Sequence, residues 1–545
     1  MSVVVQGAAV STTAQQGGRL AGPLSASVAD LCRRLQPQVS PRTAAGFAQV
    51  LRRLGAPLQV AVAGRIKSGK STLVNALIGR RVAPTDIGEC TRLVTRFQYG
   101  TVDRIEVVFR DGRKQVLPFA PDGMIPAELG VDIDTVSHIE AYLTNAALEH
   151  MTVIDTPGLG SLDAASVART EHLLRDAGQR VDGSGDGADG GDDDSGEPGG
   201  SDELDETSRN AVAGAEAVLY VMTQGLRADD EQALAAFTAA TASREAGPVN
   251  AIAVLNKADT IVPETVEGSD GDVWKAATLL AKRQADTLKP RVADVLPVIG
   301  LIAESAESGQ FTSADAEALR QLAELDDALD VMLLSADMFT SWECDVPNGV
   351  RARLLEKLDL YGVRRAVEAI RAQPDITAGA LRRLLLDASG LAAVRARLNT
   401  VFAARADGIK AAAALASITA LAHASGNAAE RQRVHDAIEV LLARPEAHQL
   451  RVLEALTLVA SGAVEMPDDL TEEVLRVGSN ADIPTQLGKP GATREELATY
   501  ALERAGWWRS FASFGATPAQ SRVAHVVHRA YFLAWQQLRT PGGGR

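Results

Sequence analysis

One stretch of the sequence, residues 60–79, limits the possible folds more than any other. It reads VAVAGRIKSGKSTLVNALIG, in which the apolar run 60–63 predicts a buried strand and residues 72–77 predict the opening of a helix. Between them, Gly64 to Ser71 matches the pattern G-x-x-x-x-G-K-[ST] of a phosphate-binding loop, the P-loop. Strand, loop and helix are the context that this motif requires, so we predict a nucleoside triphosphate site here.

The residue types in this loop suit contact with phosphate. Gly64 and Gly69 let the backbone turn closely enough for its N–H groups to point at phosphate oxygens. Lys70 brings a cation to the β- and γ-phosphates, and the Ser71 hydroxyl is a ligand for Mg²⁺. The predicted binding set in the loop is Gly64, Ile66, Lys67, Ser68, Gly69, Lys70, Ser71 and Thr72.

A second motif, Asp155-Thr156-Pro157-Gly158, ends an apolar strand that begins near residue 152. Asp155 can hold the Mg²⁺ shell, and the Gly158 N–H can sense the γ-phosphate, which makes this the predicted switch II. The next residues are Leu-Gly-Ser, so the glutamine that positions water in Ras-like enzymes is absent. Water must then be positioned by switch I, by a P-loop residue or by a second G domain.

A third motif, Asn256-Lys257-Ala258-Asp259, follows the apolar run 251–255. A carboxylate at this point can accept both hydrogens that guanine offers and adenine does not. Asn256 and Asp259 therefore favour GTP over ATP, and Lys257 completes the predicted binding set. With three motifs in order on three apolar strands, the chain resembles the translation-factor-like class of P-loop GTPases.

The connection at residues 83–95 carries the candidates for switch I. We predict that Thr91 uses its hydroxyl and carbonyl to meet Mg²⁺ and the attacking water, with Thr85 as the alternative. The predicted metal ligands are Ser71, Thr91 and Asp155, and the predicted catalytic residues are Lys67, Lys70, Thr91 and Gly158.

One segment carries most of the negative charge. Residues 176–206 hold twelve acidic residues and one arginine, so removing this net −11 from the −15 of the chain leaves −4. The segment is rich in glycine and poor in apolar residues, which predicts a disordered insertion at 177–206. The alternative is a metal or Ca²⁺ tract. Because the rest of the chain is only slightly acidic, no nucleic acid partner is expected.

The remaining patterns predict an α/β P-loop GTPase domain, with a doubly wound and mostly parallel sheet, plus an elongated α-helical bundle stalk. Strands alternate with helices up to about residue 301, including helices at about 164–176 and 228–243 and a last strand at about 295–301. From 313 to 540 apolar residues recur at helical spacing, for example over 319–339 and 380–402. The predicted divisions are a disordered terminus at 1–23, helices joining the stalk at 24–56, the GTPase domain at 57–310 and the stalk at 311–545.

The run GRIKSGKSTLVNALIGRRVAPTDIGECTRLVT resembles the P-loop and switch I of bacterial dynamin-like GTPases, closest to the actinobacterial isoniazid-inducible type. Residues 360–363 (LYGV) and 389–391 (SGL) resemble landmarks of their first stalk bundle. The resemblance implies a membrane-associated, mechanochemical GTPase that dimerises through its G domains or pairs with a paralogue. It also implies cell-division proteins as partners and action at division septa. The acidic insertion and Ile299-Gly300, in place of Ser-Gly, depart from the pattern.

Within this resemblance, Lys67 holds the P-loop position that contributes to a charge-compensating monovalent-cation site in dynamins. Its ammonium would supply that charge directly, and the alternative is a lysine that faces solvent. GTP or GDP with Mg²⁺ are the implied ligands.

Membrane contact is expected near the end of the chain. Residues 504–545 contain six arginines, seven aromatic residues and no acid, a composition that suits an anionic lipid interface. Tyr531, Phe532 and Trp535 are alternatively core residues of the bundle, whereas 507–514 is predicted to be an open loop. No signal peptide or spanning run is evident, so we expect a cytoplasmic protein at the inner face of the cell membrane. The alternative function is a regulatory GTPase or scaffold that binds protein or RNA without remodelling membrane.

Overall fold

The computed structural model describes residues 20–85, 93–157, 215–225, 251–288, 292–325, 327–402, 405–460, 464–480 and 482–539. Thr91, Gly158, the acidic insertion and the helices predicted at 164–176 and 228–243 lie outside these residues.

A nine-stranded sheet, in the order β4-β3-β5-β2-β6-β1-β7-β8-β9, forms the centre of the fold. The strands are β1 Leu58–Gly64, β2 Thr95–Tyr99, β3 Arg104–Phe109, β4 Lys114–Leu117, β5 Val136–Leu143, β6 Met151–Asp155, β7 Ala217–Met222, β8 Ala251–Leu255 and β9 Val295–Pro297. The strand β1 lies between β6 and β7 and is parallel to both, and β8 and β9 continue the parallel half. On the other side, β2 pairs antiparallel with β6 and parallel with β5, and the β5–β3 and β3–β4 pairings are antiparallel. Five pairings are thus parallel and three antiparallel, so the predicted mostly parallel sheet is confirmed.

The pattern of burial explains why these strands were recognisable. Every residue of β7 and β8 is buried, as expected for parallel strands covered on both faces. In contrast, β3 alternates between buried and half-buried residues because only one of its faces contacts the core. The carboxyl ends of β1, β6, β7 and β8 meet at one edge of the sheet, where ligands bind in open α/β folds.

Helices surround the sheet and continue beyond it. They are α1 Pro23–Leu35, α2 Pro41–Gly55, α3 Lys70–Ile78, α4 Val273–Leu288, α5 Gly300–Glu307, α6 Ser313–Ala323, α7 Asp327–Met332, α8 Ala336–Ser341, α9 Asn348–Ala372, α10 Ala378–Ala388, α11 Leu391–Val401, α12 Ala406–Ala424, α13 Ala428–Leu442, α14 His448–Ala460, α15 Asp468–Ser479, α16 Ile483–Gln486, α17 Arg494–Phe514 and α18 Pro518–Arg539.

The buried side chains group into cores that cross the predicted divisions. One face of the sheet packs with α4, α5 and α6 to α10, and the other face packs with α3 and α11. Two further cores contain no strand residues, one formed by α1, α2, α12 and α13 and one by α14, α15, α17 and α18. The predicted boundary at residue 311 thus falls between helices whose apolar residues share a core with the sheet. The domain limits stay a prediction.

Both parts of the chain contribute to the core of α1, α2, α12 and α13. The backbone N–H groups of Leu24 and Ser25, at the start of α1, donate to the Asp407 carboxylate at 2.9 and 2.8 Å. A carboxylate at a helix N-terminus satisfies N–H groups that lack an intrahelical partner. Asp407, at the start of α12, therefore caps a helix that lies almost four hundred residues earlier in the sequence.

Three local predictions were wrong. The strand predicted near 295–301 ends at Pro297, and α5 begins at Gly300. Residues 507–514 are not a loop but the last turns of α17, which stops at Phe514 before Gly515. The helix expected over 380–402 is two helices, because Gly390 adopts a left-handed φ of 78° between α10 and α11.

Candidate functional site

The P-loop leaves β1 at Gly64 and enters α3 at Lys70. Gly64 and Gly69 have φ of 149° and 89°, values that side chains rarely tolerate. A Cβ on Gly64 would lie 2.2 Å from the Val221 carbonyl oxygen, and one on Gly69 would lie 2.3 Å from Asn256 Nδ2. Both glycines of the motif are therefore required by the close approach of the loop to neighbouring strands.

Lys70 is nearly buried, with 8% of its surface exposed. Its Nζ donates to the Arg65 carbonyl oxygen at 2.9 Å, so the ammonium lies inside the curve of the loop. Burial lowers the pKa of Lys70, and the charge of Asp155 opposes this shift. An ammonium held in this position can exchange the carbonyl for a phosphate oxygen without moving far.

Two of the predicted metal ligands are in contact. Ser71 Oγ donates to Asp155 Oδ2 at 2.8 Å. Asp155 Oδ1 is buried and, among the described residues, has no hydrogen-bond partner. Burial raises the pKa of Asp155 to about 6, while the Lys70 charge and the Ser71 hydroxyl lower it. A hydroxyl and a carboxylate with an unpaired oxygen are ligands that Mg²⁺ prefers, so these residues fit the ion.

A cavity of about 190 Å³ opens beside the P-loop. Its lining comes from the loop (Arg65, Ile66, Lys67 and Ser68) and from the end of β7 (Val221, Met222, Thr223 and Gly225). Ser68 Oγ is buried there without a hydrogen-bond partner in the described part of the chain. Lys67 is exposed, in a left-handed conformation with φ of 64°, and Ile66 is 62% exposed. The loop thus presents a basic and an apolar side chain outward.

Asn256 contacts the P-loop. Its Nδ2 donates to the Ser68 carbonyl oxygen at 2.8 Å, and its Oδ1 accepts from the Gly300 N–H at 2.9 Å. The side chain is 2% exposed, and a Cβ on Gly300 would lie 2.9 Å from Oδ1. Asn256 therefore links the phosphate-binding loop to the start of α5. Because both ends of its amide are engaged in these contacts, Asp259 is the residue of the motif that is suited to recognise the guanine base.

Asp259 lies in a short turn, Ala258–Thr260, directly after β8. Lys257, which precedes the turn, is exposed and left-handed, with φ of 57°. Burial raises the pKa of Asp259 to about 6, and the charge of Asp359 in α9 adds to this effect, while Lys257 opposes it. The carboxylate is half-buried at the edge of the sheet that carries the P-loop.

The remaining candidates are placed as follows. Thr72 is half-buried in the first turn of α3. Thr91 and Gly158 lie outside the described residues, so switch I and the end of switch II stay predictions. Thr85, the alternative for switch I, is exposed, and its hydroxyl accepts from Arg81 Nη2 at 3.4 Å.

Sequence reasoning missed Asn75, which is fully buried in α3. Its Oδ1 accepts from the N–H groups of Val82 and Ala83 at 3.0 and 2.8 Å, and its Nδ2 donates to Glu304 Oε1 at 2.7 Å. The amide thereby fixes the chain just before the predicted switch I. An asparagine among Leu73, Val74, Ala76 and Leu77 was the available signal, since a buried amide needs partners.

Arg395 of α11 was also missed, and no sequence pattern marks it. Its Nη2 donates to the Ala76 carbonyl oxygen at 2.9 Å, at the end of α3, and its Nη1 pairs with Glu307 at the end of α5. A cation at a helix C-terminus binds carbonyl groups that lack an intrahelical partner. The helix that opens with the P-loop is thus held at its other end by a residue from beyond the sheet.

Comparison with known proteins agrees with this geometry. A profile of the dynamin family matches residues 60–257. The isoniazid-induced protein IniC of Mycobacterium tuberculosis is 31% identical over 465 residues, which cover 84% of this chain and 85% of IniC. A bacterial dynamin-like protein of Nostoc punctiforme is 42% identical over 52 residues, 10% of this chain and 8% of that protein.

Among solved structures, one described as an oligomerised bacterial dynamin pair is 12% identical to this chain. It covers 95% of this chain and 75% of its own length, with a TM-score of 0.28. Within the described residues, every helix falls short of the length or hydrophobicity needed to cross a bilayer.

Proposed function

The chain belongs to the dynamin family of GTPases, and we propose that it couples GTP hydrolysis to the pairing of G domains and to remodelling or maintenance of a membrane. The proposed place of action is the inner face of the cell membrane, division septa included. The observation that carries the membrane part is an aromatic stripe on α17, which runs from the half-exposed Trp507 and half-buried Phe511 to the fully open Phe514 at the end of the helix.

The stripe consists of Trp507, Phe511 and Phe514, which share one face of α17 because they are four and three residues apart. Trp507 and Phe511 stack with ring centroids 5.5 Å apart, and Phe514 at the tip is 94% exposed. The guanidinium of Arg504 lies 4.2 Å from the centroid of the Trp507 ring, and it also pairs with the Glu473 carboxylate, its Nε donating to Oε1 at 2.9 Å. Exposed aromatic rings suit the headgroup region of a membrane, and the six arginines without an acidic residue in 504–545 favour an anionic one.

The neighbouring aromatic residues have a different environment. Trp508 and Tyr531 are buried and donate to the Glu473 carboxylate, the indole N–H at 3.0 Å and the phenol at 2.5 Å. These contacts fix the faces that α17 and α18 turn toward the core. The outward stripe is therefore set by packing on the opposite side of the same helix.

For the nucleotide, we propose that Lys70 and the P-loop N–H groups hold the β- and γ-phosphates. Ser71 and Asp155, with Thr91, would hold Mg²⁺, which when bound neutralises charge on the phosphates. Asp259 would accept the two guanine hydrogens. In the absence of a glutamine after the DTPG motif, we assign Lys67 to charge compensation and the ordering of water to Thr91 and a second G domain.

Base recognition is tested by Asp259→Asn. The carboxylate accepts two hydrogens from guanine, whereas an amide can accept one and donate to the second carbonyl of xanthine. Affinity for GTP should fall on the order of 100-fold and affinity for xanthosine triphosphate should rise, since unpaired polar groups in a binding site are costly. Fluorescence titration with GTP, xanthosine triphosphate and ATP measures both. Glu264→Gln, an exposed acid in the following turn, is the control and should change neither. Retained preference for GTP in Asp259→Asn would contradict the assignment.

Membrane binding is tested by sedimentation with vesicles of anionic phospholipid, with and without GTP. The chain should sediment with the vesicles, and Phe514→Ser should lower the bound fraction, because this side chain has the largest exposed apolar surface at the tip of the hairpin. Leu334→Ser, at a residue that is 71% exposed between α7 and α8, is the matched control and should bind normally. A parental protein that stays in the supernatant under both conditions would instead support the switch or scaffold function.

A further inference from the structure

The Ser-Gly-Leu run at residues 389–391 forms the turn between α10 and α11. Ser389 Oγ donates to the Leu386 carbonyl oxygen at 2.6 Å and accepts from the Leu391 N–H at 3.2 Å. This hydroxyl therefore joins the end of one helix to the start of the next. Gly390 has φ of 78°, a left-handed conformation that glycine adopts without strain. Because Ser389 and Gly390 are both buried, the turn is held inside the protein.

The turn packs directly on the connection from β9 to α5. The Ile299 N–H donates to the Ser389 carbonyl oxygen at 2.9 Å. A Cβ on Gly390 would lie 2.6 Å from the Pro297 carbonyl oxygen and 2.6 Å from Cη2 of Trp274 in α4. Glycine is therefore required where the turn meets the end of β9.

The same connection holds the motif that begins at Asn256. The Val298 carbonyl oxygen accepts from the Ala258 N–H at 3.2 Å, and the Gly300 N–H donates to Asn256 Oδ1 at 2.9 Å. The other end of the Asn256 amide donates to the Ser68 carbonyl oxygen at 2.8 Å. Three hydrogen bonds, with the backbone between Ile299 and Gly300, thus join the α10–α11 turn to the P-loop.

The last of these bonds sets the direction of a phosphate-binding group. In a trans peptide the C=O and the N–H point to opposite sides. Because the Ser68 carbonyl oxygen is directed at Asn256, the Gly69 N–H of the same peptide points away from Asn256. Backbone N–H groups of a P-loop bind phosphate oxygens, so the orientation of this donor matters for nucleotide binding.

We propose that the α10–α11 turn is a positioning element of the GTP site. It holds the connection from β9 to α5, this connection holds Asn256, and Asn256 orients the Gly69 N–H toward the nucleotide phosphates. The inference rests on the proposed phosphate site in the P-loop. Its consequence is that displacement of the turn weakens nucleotide binding although every residue of the three nucleotide motifs is unchanged.

Gly390→Ala displaces the turn. The added methyl group would lie far inside the contact distance of the Pro297 carbonyl oxygen, so the turn and the connection must move apart. The Ile299 N–H then loses its acceptor on Ser389, and the hold on Asn256 is loosened. Affinity for GDP and GTP should fall by about 3- to 10-fold, the equivalent of one neutral hydrogen bond.

Gly426→Ala is the matched control. Gly426, in the turn between α12 and α13, is also left-handed, with φ of 68°, and no described atom lies within 4 Å of an added Cβ. Both variants place an alanine at positive φ and should lower the melting temperature. Only Gly390→Ala moves the connection from β9 to α5, so Gly426→Ala should bind nucleotide as the parent does.

The experiment is titration of the full chain with a fluorescent GDP analogue, at a temperature well below the melting temperature of each variant. Ser389→Ala, which removes the hydroxyl that fixes the turn, is a second variant and should also weaken binding. Parental affinity in the folded Ser389 and Gly390 variants would overturn the proposal. An equal loss of affinity in Gly426→Ala would overturn it too.

A double-mutant cycle with Asn256→Ala tests the route of the effect. Asn256→Ala removes both hydrogen bonds of the amide, so adding Gly390→Ala to it should change affinity by less than about twofold. A further loss as large as in the parental background would contradict a route through Asn256. Failure of the proposed phosphate site is recognised separately, because Lys70→Met would then keep its nucleotide affinity.

Discussion

Lys70→Met is expected to remove GTP and GDP binding. The Lys70 ammonium is the nearly buried cation of the P-loop, and its Nζ lies 2.9 Å from the Arg65 carbonyl oxygen. Its loss would leave the buried Asp155 carboxylate without the charge that opposes the rise of its pKa. Truncating one member of a buried charged contact costs several kcal/mol, so we expect affinity to fall by about 100- to 1,000-fold.

Titration with a fluorescent GTP analogue measures this loss. Lys282→Met, at an exposed lysine of α4, is the matched control and should bind as the parent does. Methionine preserves the apolar stem of the side chain but leaves the buried Asp155 carboxylate without its opposing charge, so the melting temperature of Lys70→Met without nucleotide should fall. The titration is therefore run well below that melting temperature. Nucleotide affinity within threefold of the parent in Lys70→Met would contradict the assigned phosphate site.

The second large effect concerns a buried ion pair where α2 and α12 meet the sheet. Lys410 Nζ of α12 lies 3.2 Å from Glu216 Oε1, before β7, and donates to the Arg53 carbonyl oxygen of α2 at 2.9 Å. Glu216 Oε2 accepts from the Gln59 N–H of β1 at 3.0 Å. The side chains of Lys410 and Glu216 are 2% and 5% exposed. Lys410→Met should therefore lower the free energy of unfolding by about 3–5 kcal/mol, because it leaves a buried carboxylate unpaired.

The double variant Lys410→Met with Glu216→Gln tests this explanation. The amide oxygen can still accept from Gln59, and no buried charge remains, so most of the lost stability should return. Denaturant unfolding measures each step. Arg33→Met, which breaks the exposed ion pair of Arg33 with Asp30 in α1, is the control and should lower the free energy of unfolding by less than about 1 kcal/mol. A double variant less stable than Lys410→Met would show that the two side chains do not act as a charge pair.

The limits of the central strands could be predicted from the sequence because these strands are buried on both faces. Residues 217–222 and 251–255 are apolar along their whole length, and the structure gives β7 and β8 these same limits. A strand that is covered on both faces shows its full length as an apolar run. The P-loop was equally evident because its glycines have no substitute at positive φ and close contact.

The positions at which the helices break could not be predicted from apolar spacing. Residues 319–339 predict one helix by their apolar spacing, but the chain forms α6, α7 and α8. Apolar residues on both sides of such a break pack into one core, so the spacing continues across it. The helix α9 is also kinked at Asp359, which has φ of 53° and ψ of 179°, and the sequence does not predict this break because aspartate rarely adopts such a conformation.

Contacts of the site that join residues far apart in the chain also could not be predicted from the sequence. Asn256 was recognised as part of a motif, but its contacts with Ser68 and Gly300 depend on how β8 lies beside the P-loop. Arg395 reaches α3 across more than three hundred residues of sequence. Such contacts are set by tertiary packing and have no local pattern.

We propose that GTP hydrolysis depends on the pairing of two G domains. The P-loop presents Ile66 and Lys67 outward, beside a cavity that a facing G domain can cover. If the Lys67 ammonium supplies the compensating charge, hydrolysis should proceed equally in Na⁺ and in K⁺. A lone G domain has no glutamine after DTPG to orient water, so its rate should be low.

The most direct test is the rate of GTP hydrolysis per chain, measured as the protein concentration rises from nanomolar to micromolar. We predict that the rate per chain increases with concentration and that GDP with aluminium fluoride converts monomers to dimers. A rate per chain that stays constant over this range, together with a monomer in the presence of GDP and aluminium fluoride, would contradict the pairing of G domains.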